Sequence, residues 1–437
     1  MMSNRRRAQL SGAFHEFFQT EAAGGLLLVA SAAVALFIAN SGWAARYHSL
    51  LETTFTIAGG GDGLALTLHE WINDGLMTVF FLHVGLEIKR ETIAGELAAS
   101  RNAMLPIAAA CGGMAVPALI YFSLNPSGLA ARGWAIPMAT DIAFALGTLA
   151  IVAPRAPNGL KVFLAALAIA DDLGAVIVIA LFYGQHIAWA ALAKAGVVLV
   201  LLVALNLAGI RRVVAYLGLG VLLWFFVHES GVHATIAGVL LAFTVPTKTR
   251  INAEEFSRDA RALLDEFDRT ETGDLLVLTS KGQQDAIFDL ERASEAATPP
   301  LVTLEHALQS FSAFVVMPLF ALSNAGVTFS YATIGSVSVG VILGLVIGKP
   351  LGIAAAAIAA TKTRLAALPE GVSWPALHGA GCLAGIGFTM SLFIATLAFQ
   401  GTPLLDQAKL GILAGSVVAG TVGAVITVRY RSGDSRQ

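Results

Sequence analysis

A chain of 437 residues that is 56% hydrophobic and only 13% charged, with a mean hydropathy of +0.75, lies far from the roughly 25% charged content of soluble globules and reads as a polytopic membrane protein. The net charge of −2 leaves no basic face, which excludes a nucleic-acid partner. Cys111 and Cys382 both fall inside apolar stretches, so neither a disulfide framework nor a metal cluster is indicated and both read as packing residues.

The N-terminus, MMSNRRR, leads into an apolar window at 22–40. Ala30-Ser31-Ala32 has the form of a cleavage site, but the window exceeds a typical signal-peptide core and is expected to be retained as a helix. Further windows fall at 71–90, 103–123, 134–153, 160–183, 189–208, 213–227, 231–246, 305–325, 336–361, 374–399 and 406–428. The expected fold is therefore an all-α polytopic membrane protein of about twelve transmembrane helices. Spans one to eight occupy 1–246, a cytoplasmic insert 247–303, spans nine to twelve 304–429, and a cytoplasmic tail 430–437. Alternate loops and both termini hold 22 of the 27 Lys and Arg, against three in the opposite loops, which puts both termini in the cytoplasm.

Between the first two spans, TFTIA and LALTLH alternate on either side of GGGDG at 59–63, which predicts a short periplasmic β-hairpin over about 53–69. Its open edge offers pairing to a second copy, a homodimer through the hairpin; a solvated loop is the other reading. The insert carries 12 acids and 5 bases between 251 and 300. Phe256, Ala260, Leu263, Leu264 and Phe267 recur at helical spacing, and Gln283 to Ala297 forms a second amphipathic stretch, so two helices are expected there. A tolerated insertion is the default reading and a regulatory one the alternative.

The chemistry centres on FLAALAIADDLGAVIVIALFY at 163–183. Asp171 and Asp172 stand roughly 17 Å from either end of the 160–183 window, about half of a 30 Å hydrocarbon core. Ionised groups there cost at least about 2.5 kcal/mol each, so the span keeps two only if they bind something, exchange protons or pair with a cation. A structural ion pair is the plain reading. Neighbours on a helix point about 100° apart, so the two acids can serve different partners.

The fourth window adds Asp141 in GWAIPMATDIAFALG and the tenth adds Lys349 in VILGLVIGKPLGI, each near mid-span. Lys349 can be a fixed counter-ion or a proton carrier, and the sequence leaves both open. Pro137 removes a helix hydrogen bond four residues before Asp141, and Gly385 and Gly387 weaken the eleventh span, so both helices are expected to be interrupted. Interruption frees carbonyls that can ligate a small cation, and half-helix N-termini whose positive ends call for a carboxylate such as Asp141. Pro and Gly are also simply common in membrane helices.

Carboxylates without Cys or clustered His suit a hard cation and no resident cofactor. Protons and a monovalent cation would compete for the same oxygens, and if the two loaded states open to opposite sides, competition becomes obligatory exchange. Two protons against one cation would move net charge. A cation channel is the rival reading, since carboxylates also line pores. Gly59-Gly60-Gly61-Asp62 formally matches the GxGD of intramembrane aspartyl proteases, but it lies in a turn, and two acids on one helix cannot flank a peptide bond.

WAIPMATDIAFALG, LAIADDLGA, SGVHATIAGV, LFALSNAGV, LVIGKPLGI, GIGFTMSLFIA and VGLEIKRE together resemble, in order and spacing, the NhaA family of bacterial sodium/proton antiporters, over nearly the whole chain except the insert. The resemblance implies inverted-topology repeats with two crossed broken helices in the bacterial inner membrane. It implies electrogenic exchange of sodium or lithium for more than one proton, rising at alkaline pH. By the same likeness Asp172 is the principal sodium ligand, Asp171 its partner in proton exchange beside Lys349, and Thr140 with Asp141 the centre of the crossing. Glu87 and Glu91 of VGLEIKRE, His233 of SGVH and Glu305 of LEHAL match positions tied to pH response. Glu87 and Glu91 also suit a helix end anchored at the interface, and His233 suits simple packing. LEHAL continues QSF, without the family's histidine and proline, and HESGVH has no lysine before the motif, so the pH range is expected to differ.

Overall fold

The computed structural model describes residues 23–57, 64–95, 98, 100–184, 187–269, 280–328 and 334–434. Every one of the twelve apolar windows is a helix or an interrupted helix. Among the described residues, six helices are long and apolar enough to cross a membrane unaided, and the bent pairs raise that number to as many as nine. Spans two, seven and eight complete the set by position. The second begins as a π-helical turn, Trp71–Leu76, and continues as Met77–Ala94. The seventh is the shorter Val213–Glu229, and the eighth is only Ile236–Thr244, entered through a turn.

The first span, Ala23–Ala39, bends by 116° into a short helix, Ala44–Leu51, which leads to the hairpin. There β1 (Thr54–Ile57) pairs antiparallel with β2 (Leu64–Thr67), Thr54 opposite Thr67 and Ile57 opposite Leu64. The expected turn at 59–63, with Asp62, lies outside the described residues. The second arm stops at Thr67, two residues short of the expected end. The reason is local: Thr67 Oγ1 accepts from Glu70 N (3.2 Å) while Thr67 N donates to Glu70 Oε2 (2.8 Å), a capping box that turns Leu68 and His69 into helix.

Segment 247–303 carries the two expected helices, Ala253–Arg269 and Lys281–Ala297, packed on each other. The second starts earlier than its apolar pattern because Ser280 caps it, accepting from Gln283 N.

Glycine decides how the spans meet. The third span, Ser100–Leu124, and the helix Lys349–Lys362 of the tenth touch backbone to backbone, and a Cβ on Gly112 or Gly352 would overlap the other residue's carbonyl. Small residues allow this approach, which membrane helices use because lipid supplies no hydrophobic force between them. Lys349 is thereby brought up against the fifth span, Asn158–Phe182, which also packs on the third.

Candidate functional site

Two spans break at mid-depth, as the sequence predicts. The fourth runs as a 3-10 helix, Leu129–Met138, passes through extended backbone at Ala139 and Asp141, and resumes as Ile142–Val152 at a 40° bend. The eleventh runs Trp374–Leu383, breaks, and resumes as Phe388–Phe399 at 47°. The breaks cross and hydrogen-bond to each other: Asp141 N donates to Ile386 O (2.7 Å), and Thr140 Oγ1 donates to Ala384 O (2.9 Å). A Cβ on Gly385 would overlap the carbonyl of Leu345, so the glycine is what lets the unwound strand pass the tenth span.

Three of the four half-helix ends have a partner of the right sign. Asp141 Oδ1 accepts from Phe144 N (3.1 Å), while Oδ2 accepts from Thr389 N (3.1 Å) and Thr389 Oγ1 (2.5 Å). One carboxylate thus caps two helix N-termini, where the macrodipole favours negative charge. Lys349 Nζ donates to the carbonyl of Met138, the last residue of the 3-10 segment, where a helix end favours a cation. The lysine follows a π-helical turn, Gly344–Gly348, an irregularity often found at functional positions.

Lys349 Nζ also donates to Asp171 Oδ2 at 2.5 Å, with both side chains 1% exposed. Thr140 stands beside Asp171. Asp172, next along the helix and equally buried, has no hydrogen-bond partner on either carboxylate oxygen among the described residues. The structure therefore gathers Thr140, Asp141, Asp171, Asp172 and Lys349 into one buried site. Its ionic roles are unequal: Asp141 is consumed by capping, Asp171 by Lys349, and Asp172 by none of the described residues. Three acids face one base, and the difference is what a cation or protons can make up.

The candidate pH-response residues do not form one group. Arg90 Nη1 contacts Glu91 Oε1 (2.7 Å) and its Nε contacts Glu305 Oε1 (2.8 Å), with Glu87 within electrostatic reach of both Arg90 and Asp172. Lys89 beside them donates to the carbonyls of Phe243 (2.7 Å) and Val245 (2.6 Å), closing the end of the eighth span. His233 lies elsewhere, with Nε2 3.9 Å from Asp74 Oδ1 and its ring edge-on to Phe393. Asp74 precedes Glu87 by 13 residues on one helix, about 20 Å, so His233 belongs to the hairpin side.

Two polar groupings there escape the sequence reading. Asp74 stands between His228 (3.7 Å) and His233. Asn324 Nδ2 donates to Asn73 Oδ1 (2.9 Å), and its Oδ1 accepts from Thr396 Oγ1 (3.3 Å) and faces His69 Nε2 (3.2 Å). Neutral amides inside apolar windows are the signal that would have found the second. A search for formal charge passes over them.

Known proteins resemble this chain over nearly its whole length. The family described as Na+/H+ antiporter 1 matches residues 15–427. The chain is 47% identical to the Na+/H+ antiporter NhaA of Oleidesulfovibrio alaskensis, over 96% of this chain and 94% of that protein. It is 44% identical to Na+/H+ antiporter NhaA 2 of Helicobacter hepaticus, over 98% and 97%, and 46% identical to the NhaA of Acidithiobacillus ferrooxidans, over 96% and 98%. With buried acids at crossed, broken helices and a family match that spans residues 15–427, the chain belongs to the Na+/H+ antiporter 1 family, whose members are transporters and not enzymes.

Proposed function

We propose that this protein expels sodium or lithium from the cytoplasm of a bacterial cell in exchange for external protons, two for each sodium, as an electrogenic antiporter of the inner membrane with both termini cytoplasmic. The observation that carries this reading is Asp172, a buried carboxylate with both oxygens unpaired beside the closed Asp171–Lys349 pair. A monovalent cation entering there would take Asp172 as its main ligand. Thr140 and the unwound backbone near Asp141 are within the same crossing to supply further oxygens. Arrival of the cation draws Asp171 away from Lys349, and the displaced protons leave from Asp172 and from the Asp171–Lys349 pair. Proton and cation then cannot ride together, which is the requirement for exchange in place of leak.

The Arg90–Glu305–Glu91 group, with Glu87 between it and Asp172, supports a role in activation at alkaline pH. The Arg90–Glu305 contact ties the ends of spans two and nine together. The open edges of β1 and β2 support a homodimer through the hairpin.

Inside-out vesicles carrying a pH-sensitive dye test the exchange directly. Sodium and lithium should dissipate an imposed proton gradient, with rates rising from acid to alkaline pH, and Asp172→Asn should abolish the response. Wild-type exchange in Asp172→Asn vesicles sinks the ligand assignment. Flux that ignores membrane voltage sinks electrogenicity.

A further inference from the structure

On the hairpin side, between the helix Ala44–Leu51, the start of span two and the adjacent halves of spans seven, eight and nine, lies a cavity of about 750 Å³. That is in the range of about 300–1,000 Å³ that houses whole small ligands. Its wall is almost wholly aliphatic and aromatic, with Trp71 and Trp224 stacked at 5.8 Å. Val221 and Leu50 on that wall are 66% and 58% exposed, so the cavity opens sideways, where a spanning protein meets lipid chains.

Five polar side-chain groups interrupt the wall, and three of them are already satisfied. Tyr47 OH donates to Leu322 O (2.6 Å), Thr78 Oγ1 to Asp74 O (2.5 Å) and Trp224 Nε1 to Asp74 O (3.1 Å). The other two, Trp71 Nε1 and Ser323 Oγ, are buried with no hydrogen-bond partner among the described residues, and Ser323 is 4% exposed. A buried polar group without a partner is unusual enough to require an explanation. Both groups can donate, and an indole N–H can only donate, so the missing partner carries acceptors.

The same helix places Trp43 and Arg46 beside this region, with the guanidinium 4.9 Å from the Trp43 ring centre, both exposed. No ion pair to Arg46 occurs among the described residues. Tryptophan settles at the membrane interface, and arginine recognises phosphate through paired N–H donors.

We propose that this cavity holds one phospholipid of the leaflet on the hairpin side: an acyl chain lies between spans two, seven and nine, ester carbonyls accept from Trp71 and Ser323, and the phosphate faces Arg46. The site is independent of the ion-exchange reading. It wedges the Ala44–Leu51 helix and the hairpin against the spans.

Native mass spectrometry of the full chain, released from micelles containing phosphatidylglycerol, counts the lipids that survive delipidation. The wild type should retain one per chain. The double variant Val79→Phe/Leu319→Phe, which fills the cavity, should retain at least tenfold less while keeping wild-type exchange as evidence of folding. Trp71→Phe combined with Ser323→Ala should weaken retention several-fold. Phosphatidylglycerol with brominated acyl chains should quench tryptophan fluorescence with a saturable component that is absent from the filled variant. Equal retention by wild type and filled variant overturns the proposal, because the lipid is then merely annular. So does retention that depends only on dimer content, because a second copy then occupies the face.

Discussion

The mid-membrane crossing and the charged end of span two use the same side chains to opposite effect. Around Arg90, charge meets charge: Glu91 and Glu305 contact the guanidinium, and Lys89 is spent on the carbonyl end of the eighth span. At the crossing, Asp141 and Lys349 are spent in the same way on half-helix ends, but Asp172 remains without a donor. Charges that are fully met hold helices in place. A charge left unmet in a medium that penalises it is free to take a passenger, so the difference separates scaffold from cargo site.

The largest effect expected from that comparison is on proton release. Adding sodium to the purified protein in calorimetry across buffers of different ionisation enthalpy should release protons. Asp172→Asn should abolish the release, whereas Glu87→Gln should keep it and mainly shift its pH midpoint. Equal loss in both variants would erase the distinction between the two regions.

Lys349→Gln should come next, because it strands Asp171 in the interior. Removing one partner of a buried pair costs about 3–5 kcal/mol, and Asp171→Asn on the same background should recover most of it. Thermal unfolding of detergent-solubilised protein measures both, and purely additive losses would show that the pair is not coupled.

Asp141→Ala removes the acceptor for two helix N-termini. At about 0.5–2 kcal/mol per cap, the expected loss exceeds that of Thr389→Ala, which removes only the Oγ1 bond and leaves both backbone caps in place. The reverse order would mean that Asp141 is held for some purpose other than capping.

The smallest effect concerns His69, at the foot of the hairpin. Burial, then the charge of Lys409, lowers its pKa from 6.5. The unfolded chain therefore binds the proton more readily than the folded one. The His69–Asn324–Asn73 contacts contribute fully above about pH 6.5 and weaken as pH falls through the lowered value. Amide exchange at 64–76 should accelerate modestly on acidification, and His69→Gln should flatten that dependence.

Much of the fold was legible in the chain because water and lipid impose it residue by residue. The cost of bare backbone in hydrocarbon makes each long apolar window a helix, and the same cost makes Asp171, Asp172, Asp141 and Lys349 conspicuous. Pro137 and the Gly385–Gly387 pair announced the breaks, because a missing N–H and a missing Cβ act locally. Where local chemistry was overlooked, as in the Thr67–Glu70 box, the strand boundary came out two residues long.

What only the tertiary structure decided is which charge is met by what. Asp171 and Asp172 are adjacent and chemically identical, and nothing in their order says that one faces Lys349 and the other faces no donor. That follows from the angle between neighbours on a helix and from the close Gly112–Gly352 packing that delivers Lys349 to one face of span five. His233 parts company with Glu87, Glu91 and Glu305 for the same reason: a shared type of residue says nothing about depth, and roughly 20 Å of helix separates the two ends of span two. Hydrophobicity is a property of each residue, whereas pairing is a property of positions, and positions exist only once the helices have packed.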